Sequence, residues 1–354
     1  MKKIIIDPDN IDQELIFQAA KIISKGAIAA LPTETVYGIG ARADKEDMVK
    51  RLYEIKQRPK EKPFSLVMSN FDKVVNNYFD VLPPYGYRVM EKFWPGPLTV
   101  VYYSLNNEKI GVRMPAHIVT RKILEELDLA LCLASANLSG QEEAVTADEV
   151  EKIFDNNIDL LIDSGKCNFA KASTVVDLTT RPFTVLREGV VSKEDLIDTF
   201  IKKRIVIVCT GNSCRSPMAE YLLRKYLVLI KPYLFNRYEI VSAGISAFDG
   251  APAAENTVNI LKENEDIDAR GFLSRRLDRH LILSADLIFT MEDLQTKYIL
   301  QYEDTAEGRV FNLKKFLPAN LEQDIPDPVG KSLGFYNGVY DLLKEAVIEL
   351  VDWL

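Results

Sequence analysis

The chain has 354 residues, 47% of them hydrophobic, enough for two cores of ordinary domain size. Its net charge of -8 opposes broad contact with nucleic acid or anionic membrane, so any anionic ligand must be met by a local cluster of cations. No apolar run approaches the roughly 20 residues that span a bilayer, and the opening MKKIII is too short for a signal-peptide core. The four cysteines, Cys132, Cys167, Cys209 and Cys214, fit neither a disulfide framework nor a zinc site, which suits a reduced, cytoplasmic setting.

In chain order, helical periodicity is expected near 11–25, 45–56 and 146–154, with strands at 27–31, 98–103, 109–113 and 174–178. This mixture is α/β with a mixed sheet. SKEDLIDTFIKK (192–203) reads as a short closing helix with Ser192 and Asp195 as its capping pair. The β-branched run Ile205 to Val208 suits a strand buried on both faces, so a new domain starts near Lys203 and the division is 1–200 and 203–354. Beyond it, helices near 217–230, 252–264 and 336–353 alternate with strands at 205–208, 239–242, 286–290 and 309–312, the order of a doubly wound parallel sheet.

In the first part, cations stand at loops and strand ends, where α/β folds place ligand contacts. Lys56, Arg58 and Lys62 lie in the Pro-interrupted EIKQRPKEKP; Arg113 ends the strand KIGVR and Arg187 the strand FTVLR. Polar clusters follow apolar runs at Thr33-Glu34-Thr35 and at Ser135-Ala136-Asn137, and Ser173-Thr174 precedes VVDL. No Gly-x-x-x-x-Gly-Lys loop is present, which argues against an ordinary P-loop nucleotide fold. Neither His117 nor His280 stands in a pattern for a triad or a zinc site.

LPTETVYGIGARA, YEIKQRPKEKPFSL, FWPGPLTVVY, IGVRMPAH, SANLSG, STVVDLT and VLREG, in this order over roughly residues 10 to 200, resemble the YrdC-like family of threonylcarbamoyl-AMP synthases. The resemblance implies a reaction of threonine, bicarbonate and ATP that gives threonylcarbamoyl-adenylate and pyrophosphate, for the tRNA threonylcarbamoyl-transfer machinery. It implies nucleotide contacts from Lys56, Arg58, Lys62, Ser135, Asn137 and Arg187, and threonine contacts from Thr35, Arg113 and Ser173, with Arg113 a partner for the carboxylate. Magnesium is expected with the ATP, held largely through phosphates. Lys62 stands where the family often has asparagine, and Val67 where some members have histidine.

The second part opens on VCTGNSCRSPMAE, in which Cys209 and Arg215 are six positions apart. A thiolate and a guanidinium so spaced can face one phosphate when the intervening backbone curls its N–H groups inward. Gly211 permits the tight path, Asn212 tolerates a left-handed backbone, and Ser216 with Pro217 supplies a helix N-cap and first-turn proline. The helix N-terminus, the N–H groups and Arg215 are expected to lower the Cys209 pKa. Thr210, Ser213 and Cys214 complete the loop.

These residues, with Ser242-Ala243-Gly244 and Ser284-Ala285-Asp286 further on, resemble the low-molecular-weight protein phosphatase family through to the C-terminus. The resemblance implies a phosphocysteine on Cys209, a phosphate clamp in Arg215, a general acid in Asp327 of IPDPVG, and no metal or cofactor. Tyrosine-specific members follow the acid with aromatic residues; here Val329 and Gly330 follow it. Ser213 supplies a hydroxyl where those enzymes carry a bulky aliphatic and where the arginine-phosphatase branch carries threonine. Phosphoarginine in a protein is the expected substrate and phosphotyrosine the alternative. The resemblance also supports a reversible Cys209–Cys214 disulfide. Two other readings stay open: one half acting as a non-catalytic binding module, or the phosphatase regulating the attached synthase.

Overall fold

The computed structural model describes residues 1–154, 157–318 and 324–354. Its chain contacts gather into two units, Met1–Leu82 with Val89–Ile197, and Pro83–Arg88 with Asp198–Leu354. The assignment of Pro83–Arg88 to the second unit departs from the continuous division expected at 200–203. Ser192 opens the helix Lys193–Ile201 as anticipated, its Oγ accepting the Asp195 N–H at 3.1 Å.

In the first unit the strands are β1 (Lys2–Ile5), β2 (Ala29–Leu31), β3 (Gly38–Arg42), β4 (Ser65–Val67), β5 (Leu98–Tyr103), β6 (Lys109–Arg113), β7 (Leu131–Ser135), β8 (Leu160–Asp163), β9 (Thr174–Asp177) and β10 (Thr184–Arg187). They form one mixed sheet in the order β1-β8-β2-β3-β7-β4-β6-β5-β9-β10. Side chains alternate across a strand, so Leu31, Leu131, Leu133 and Ile162 join a core with the helices Gln13–Ser24 and Ile118–Leu127. Ala30, Ile39, Cys132 and Leu161 join the opposite core, which includes Leu52 of helix Glu46–Lys56 and Phe154 of helix Ala147–Phe154. Close packing between β3 and β7 requires glycine: a Cβ on Gly40 would stand 2.3 Å from the Cys132 carbonyl oxygen.

The second unit holds β11 (Lys203–Cys209), β12 (Tyr238–Gly244), β13 (Leu287–Thr290) and β14 (Val310–Asn312), all parallel, in the order β12-β11-β13-β14. Ile205, Ile207 and Cys209 face a core with the helices Arg215–Ile230 and Leu333–Trp353. Val206 and Val208 face the other, which includes Leu281, Ile282 and Ile299. Helices on both faces explain why β11 is apolar from Ile205 to Cys209 rather than alternating. Among the described residues no helix is long and apolar enough to cross a membrane.

Candidate active sites

Alternation carries the first site. Lys109, Gly111 and Arg113 of β6, Thr99 and Val101 of β5, and Val175 of β9 line a cavity of about 630 Å³. Six expected residues line it: Arg58, Lys62, Arg113, Ser135, Ser173 and Arg187. Arg58 is braced by its own Pro-interrupted segment, with Nε donating to the Lys62 carbonyl at 2.8 Å and Nη2 to that of Pro63 at 3.0 Å. Arg187 donates through Nε to the Ser173 carbonyl and through Nη2 to Ser173 Oγ, both at 3.0 Å. Ser173 Oγ in turn lies 3.1 Å from Thr99 Oγ1. Burial lowers the pKa of both guanidinium groups.

Lys56, Asn137 and Thr35 are not among the lining residues. Lys56 and Asn137 stand behind Ser135, where the buried ammonium donates to backbone carbonyls. Burial brings it down to about 8, Arg58 adding to the shift and Glu143 opposing it. Thr35 stands behind Arg113, its Oγ1 accepting from Nη2 at 3.0 Å. The carboxylate that Arg113 already meets belongs to the chain: Nη2 donates to Glu34 Oε1 at 2.6 Å, and both side chains are buried. Glu34 Oε2 also accepts the Ala116 N–H at 2.8 Å. Sequence reasoning missed Glu34 as a site residue; its signal was an acid in the polar cluster Thr33-Glu34-Thr35 just after the buried strand β2.

In the second unit, β11 delivers Cys209 to a loop that ends at the helix Arg215–Ile230. Asn212 is left-handed at φ +51°, and its N–H donates to Cys209 Sγ at 3.2 Å. Asn212 Nδ2 donates to Ser216 Oγ and Ser242 Oγ, both at 2.9 Å, while Oδ1 accepts the Arg275 N–H at 2.7 Å. The tight approach expected at Gly211 belongs elsewhere. A Cβ there would find only Ser213 Oγ, at 3.7 Å, whereas one on Gly244 would stand 2.6 Å from the Thr210 oxygen.

Ser216 is not the N-cap. The helix starts at Arg215 with Cys214 in the cap position, and the Ser216 hydroxyl lies 2.9 Å from Cys209 Sγ. The expected depression of the Cys209 pKa is also absent. Complete burial pushes the thiol up, and the Ser216 hydroxyl and N–H, Arg215 and the Asn212 N–H oppose this without overcoming it. Arg215 is compensated: Nη1 meets Glu292 Oε1 and Nη2 meets Asp327 Oδ2. Nη1 also donates to the Ile325 carbonyl at 2.9 Å.

Asp327 is thus brought to the loop as expected, with Oδ1 accepting the Val329 N–H at 3.0 Å. Glu292 was not anticipated. Buried Gln295 aligns it, with Nε2 at 3.2 Å from both Glu292 Oε1 and Thr210 Oγ1. Cys214 Sγ lies 3.3 Å from the Tyr336 hydroxyl and 3.5 Å from Ser213 Oγ, and all four cysteines are free.

Residues 21–189 match a family model described as telomere recombination, which groups Sua5, YciO and YrdC. Residues 204–354 match that of low molecular weight phosphotyrosine protein phosphatase. The threonylcarbamoyl-AMP synthase of Pyrococcus abyssi is 34% identical over 225 residues, 60% of this chain and 66% of its own length. The putative threonylcarbamoyl-AMP synthase of Methanocaldococcus jannaschii is 32% identical over 184 residues, 50% of this chain and 86% of its own length. The chain therefore spans just under two thirds of the P. abyssi protein.

Crystalline P. abyssi Sua5 complexed with L-threonine is similar in fold, with TM-score 0.54 and 23% identity over 88% of this chain and 99% of that one. The YwlE arginine phosphatase of Geobacillus stearothermophilus is 31% identical over 43% of this chain and 92% of its own, with TM-score 0.38. The chain belongs to the threonylcarbamoyl-AMP synthase family through its first unit and carries a low-molecular-weight phosphatase domain in its second.

Proposed function

We propose that the first unit forms threonylcarbamoyl-adenylate from threonine, bicarbonate and ATP, releasing pyrophosphate and water. The observation that carries this reading is the convergence of Arg58, Lys62, Arg113 and Arg187 on one cavity of about 630 Å³ in an acidic protein. The carbamate formed from threonine and bicarbonate supplies its own nucleophile, so the protein contributes orientation and charge neutralisation. Arg113, held by Glu34 and Thr35, orients the amino acid; Arg58, Lys62 and Arg187 meet the phosphates. The carboxylates that line the cavity are Glu61 and Glu143, a donor set that fits magnesium carried in on the triphosphate rather than caged by protein. The product passes to the tRNA threonylcarbamoyl-transfer machinery. Pyrophosphate release from ATP that needs both threonine and bicarbonate tests the reading; release independent of threonine would refute it.

The second unit, in our reading, hydrolyses protein phosphoarginine. An entering phosphoryl group replaces Glu292 and Asp327 on Arg215, which frees Asp327 to serve as acid. Freed Asp327 takes the Cys209 proton, the thiolate attacks phosphorus, the P–N bond breaks, and Asp327 gives that proton to the leaving guanidine nitrogen. Water, deprotonated by Asp327, then releases phosphate and regenerates the thiolate. The convergence of Cys209, Arg215 and Asp327 supports this chemistry. Ser213 and exposed Val329 support the substrate, since neither offers a ring to stack on phenol.

A further inference from the structure

Lys56 ends the helix Glu46–Lys56, yet its side chain runs inward until the residue is 1% exposed. Its ammonium donates to the Ser135 carbonyl, to the Asn137 carbonyl at 2.7 Å, and more distantly to Asn137 Oδ1 at 3.4 Å. An ammonium has three N–H bonds, and each here has an acceptor from the protein. The Lys56 backbone carbonyl also accepts the Ser139 N–H at 3.1 Å, so the helix end and the loop are tied by main chain and side chain together.

The loop carries a fixed polarity. Asn137 Nδ2 donates to the Gln141 carbonyl at 2.7 Å, which turns Oδ1 toward Lys56 and Ser135. Ser135 Oγ lies 2.7 Å from that oxygen and donates to it, because an amide oxygen cannot donate. A hydroxyl has one proton, so the Ser135 oxygen has only lone pairs left for the cavity that it lines.

We infer that Lys56 is a positioning residue that never touches the nucleotide: through Asn137 it presents Ser135 to the cavity as a hydrogen-bond acceptor, for a hydroxyl or N–H of the ligand. A phosphate oxygen is itself an acceptor and is repelled at that spot. The matching groups are the donors of the nucleoside, its ribose hydroxyls and base amine, which places the nucleoside beside Ser135 and leaves the phosphates to the arginines. The ligand half of this inference rests on reading the cavity as an ATP site; the latch does not. With burial bringing the ammonium to about 8, the latch loses one of its donors as pH rises past that value.

Two measurements on the full chain test the two halves separately. Without ligand, amide hydrogen exchange across residues 135–141 should quicken at least tenfold in Lys56→Gln; unchanged exchange would overturn the latch. Titration should then show ATP and adenosine binding at least fivefold more weakly to Lys56→Gln, with inorganic triphosphate within twofold of wild type. Equal loss for triphosphate would overturn the role and make Lys56 a phosphate ligand. Should the variant not fold, the wild type with 13C-labelled lysine Cε carries the test. The Cε signal of buried Lys56 should be unmoved by inorganic triphosphate, and a shift on its addition would contradict the inference. A wild type that binds no ATP refutes the nucleotide reading and the ligand half with it, while the exchange result still decides the latch.

Discussion

Glu34 and Arg113 meet at 2.6 Å within the first unit, although 79 residues separate them in sequence. Both side chains are almost completely buried, so the pair matters most when one partner is removed. Breaking such a pair typically costs about 3–5 kcal/mol, because the remaining charge is left buried and alone. Glu34→Gln should destabilise the first unit by roughly that amount in urea unfolding and weaken threonine binding at the same time. A stability change within 0.5 kcal/mol, the ordinary range for a surface substitution, would show that the pair does not brace Arg113.

Arg215 has a similar relation to Glu292, with consequences for the nucleophile. Replacing Glu292 by glutamine removes one of the two negative charges on the guanidinium, so more of its positive charge acts on Cys209. The pH midpoint of Cys209 alkylation by iodoacetamide should move down in Glu292→Gln. A midpoint that stays put or rises would mean that Arg215 does not govern the thiol.

These two ion pairs show where reading the sequence succeeds and where it stops. Strand β11 was legible because Ile205 to Val208 must be buried on both faces, and the helix at Lys193 because Ser192 and Asp195 stand at capping distance. Cys209, Arg215 and Asp327 were found through residue spacing and family motifs, and the structure brings Asp327 onto Arg215. The partners Glu34 and Glu292 were not found, since an acid paired across 77 or 79 residues has no local pattern; the sheet topology makes the contact. Strand β3 was missed for a different reason. GIGAR has poor strand propensity, and its glycines are explained only by the nearness of β7.

Outside both sites, Glu265 gives the second unit an acid-sensitive tie. Burial pushes its carboxyl up, but hydrogen bonds from Lys225, Tyr340, Lys344 and Tyr226 outweigh that and hold it at about 2, below the usual 4.5. A carboxylate depressed in the folded state stabilises above its unfolded value and loses that contribution as pH falls. The contribution, about 3 kcal/mol, is therefore complete above pH 4.5 and fades between 4.5 and 2. In chemical denaturation followed from pH 5 to pH 2, Glu265→Gln should lose less stability than wild type across that window. Parallel curves would contradict the assignment.

Val329 is 61% exposed two residues beyond Asp327, and its N–H donates to Asp327 Oδ1 at 3.0 Å. Val329→Tyr should raise kcat/KM for phosphotyrosine relative to phosphoarginine by about tenfold, the order that a single pocket contact supplies. An unchanged ratio would place the substrate-discriminating wall elsewhere.

The most direct test of the central claim compares phosphoarginine and phosphotyrosine peptides as substrates of the full chain and of Cys209→Ser. Our account predicts faster turnover of phosphoarginine by the wild type and no turnover of either peptide by the variant. Preference for phosphotyrosine would contradict the substrate, and activity surviving in Cys209→Ser would contradict the nucleophile.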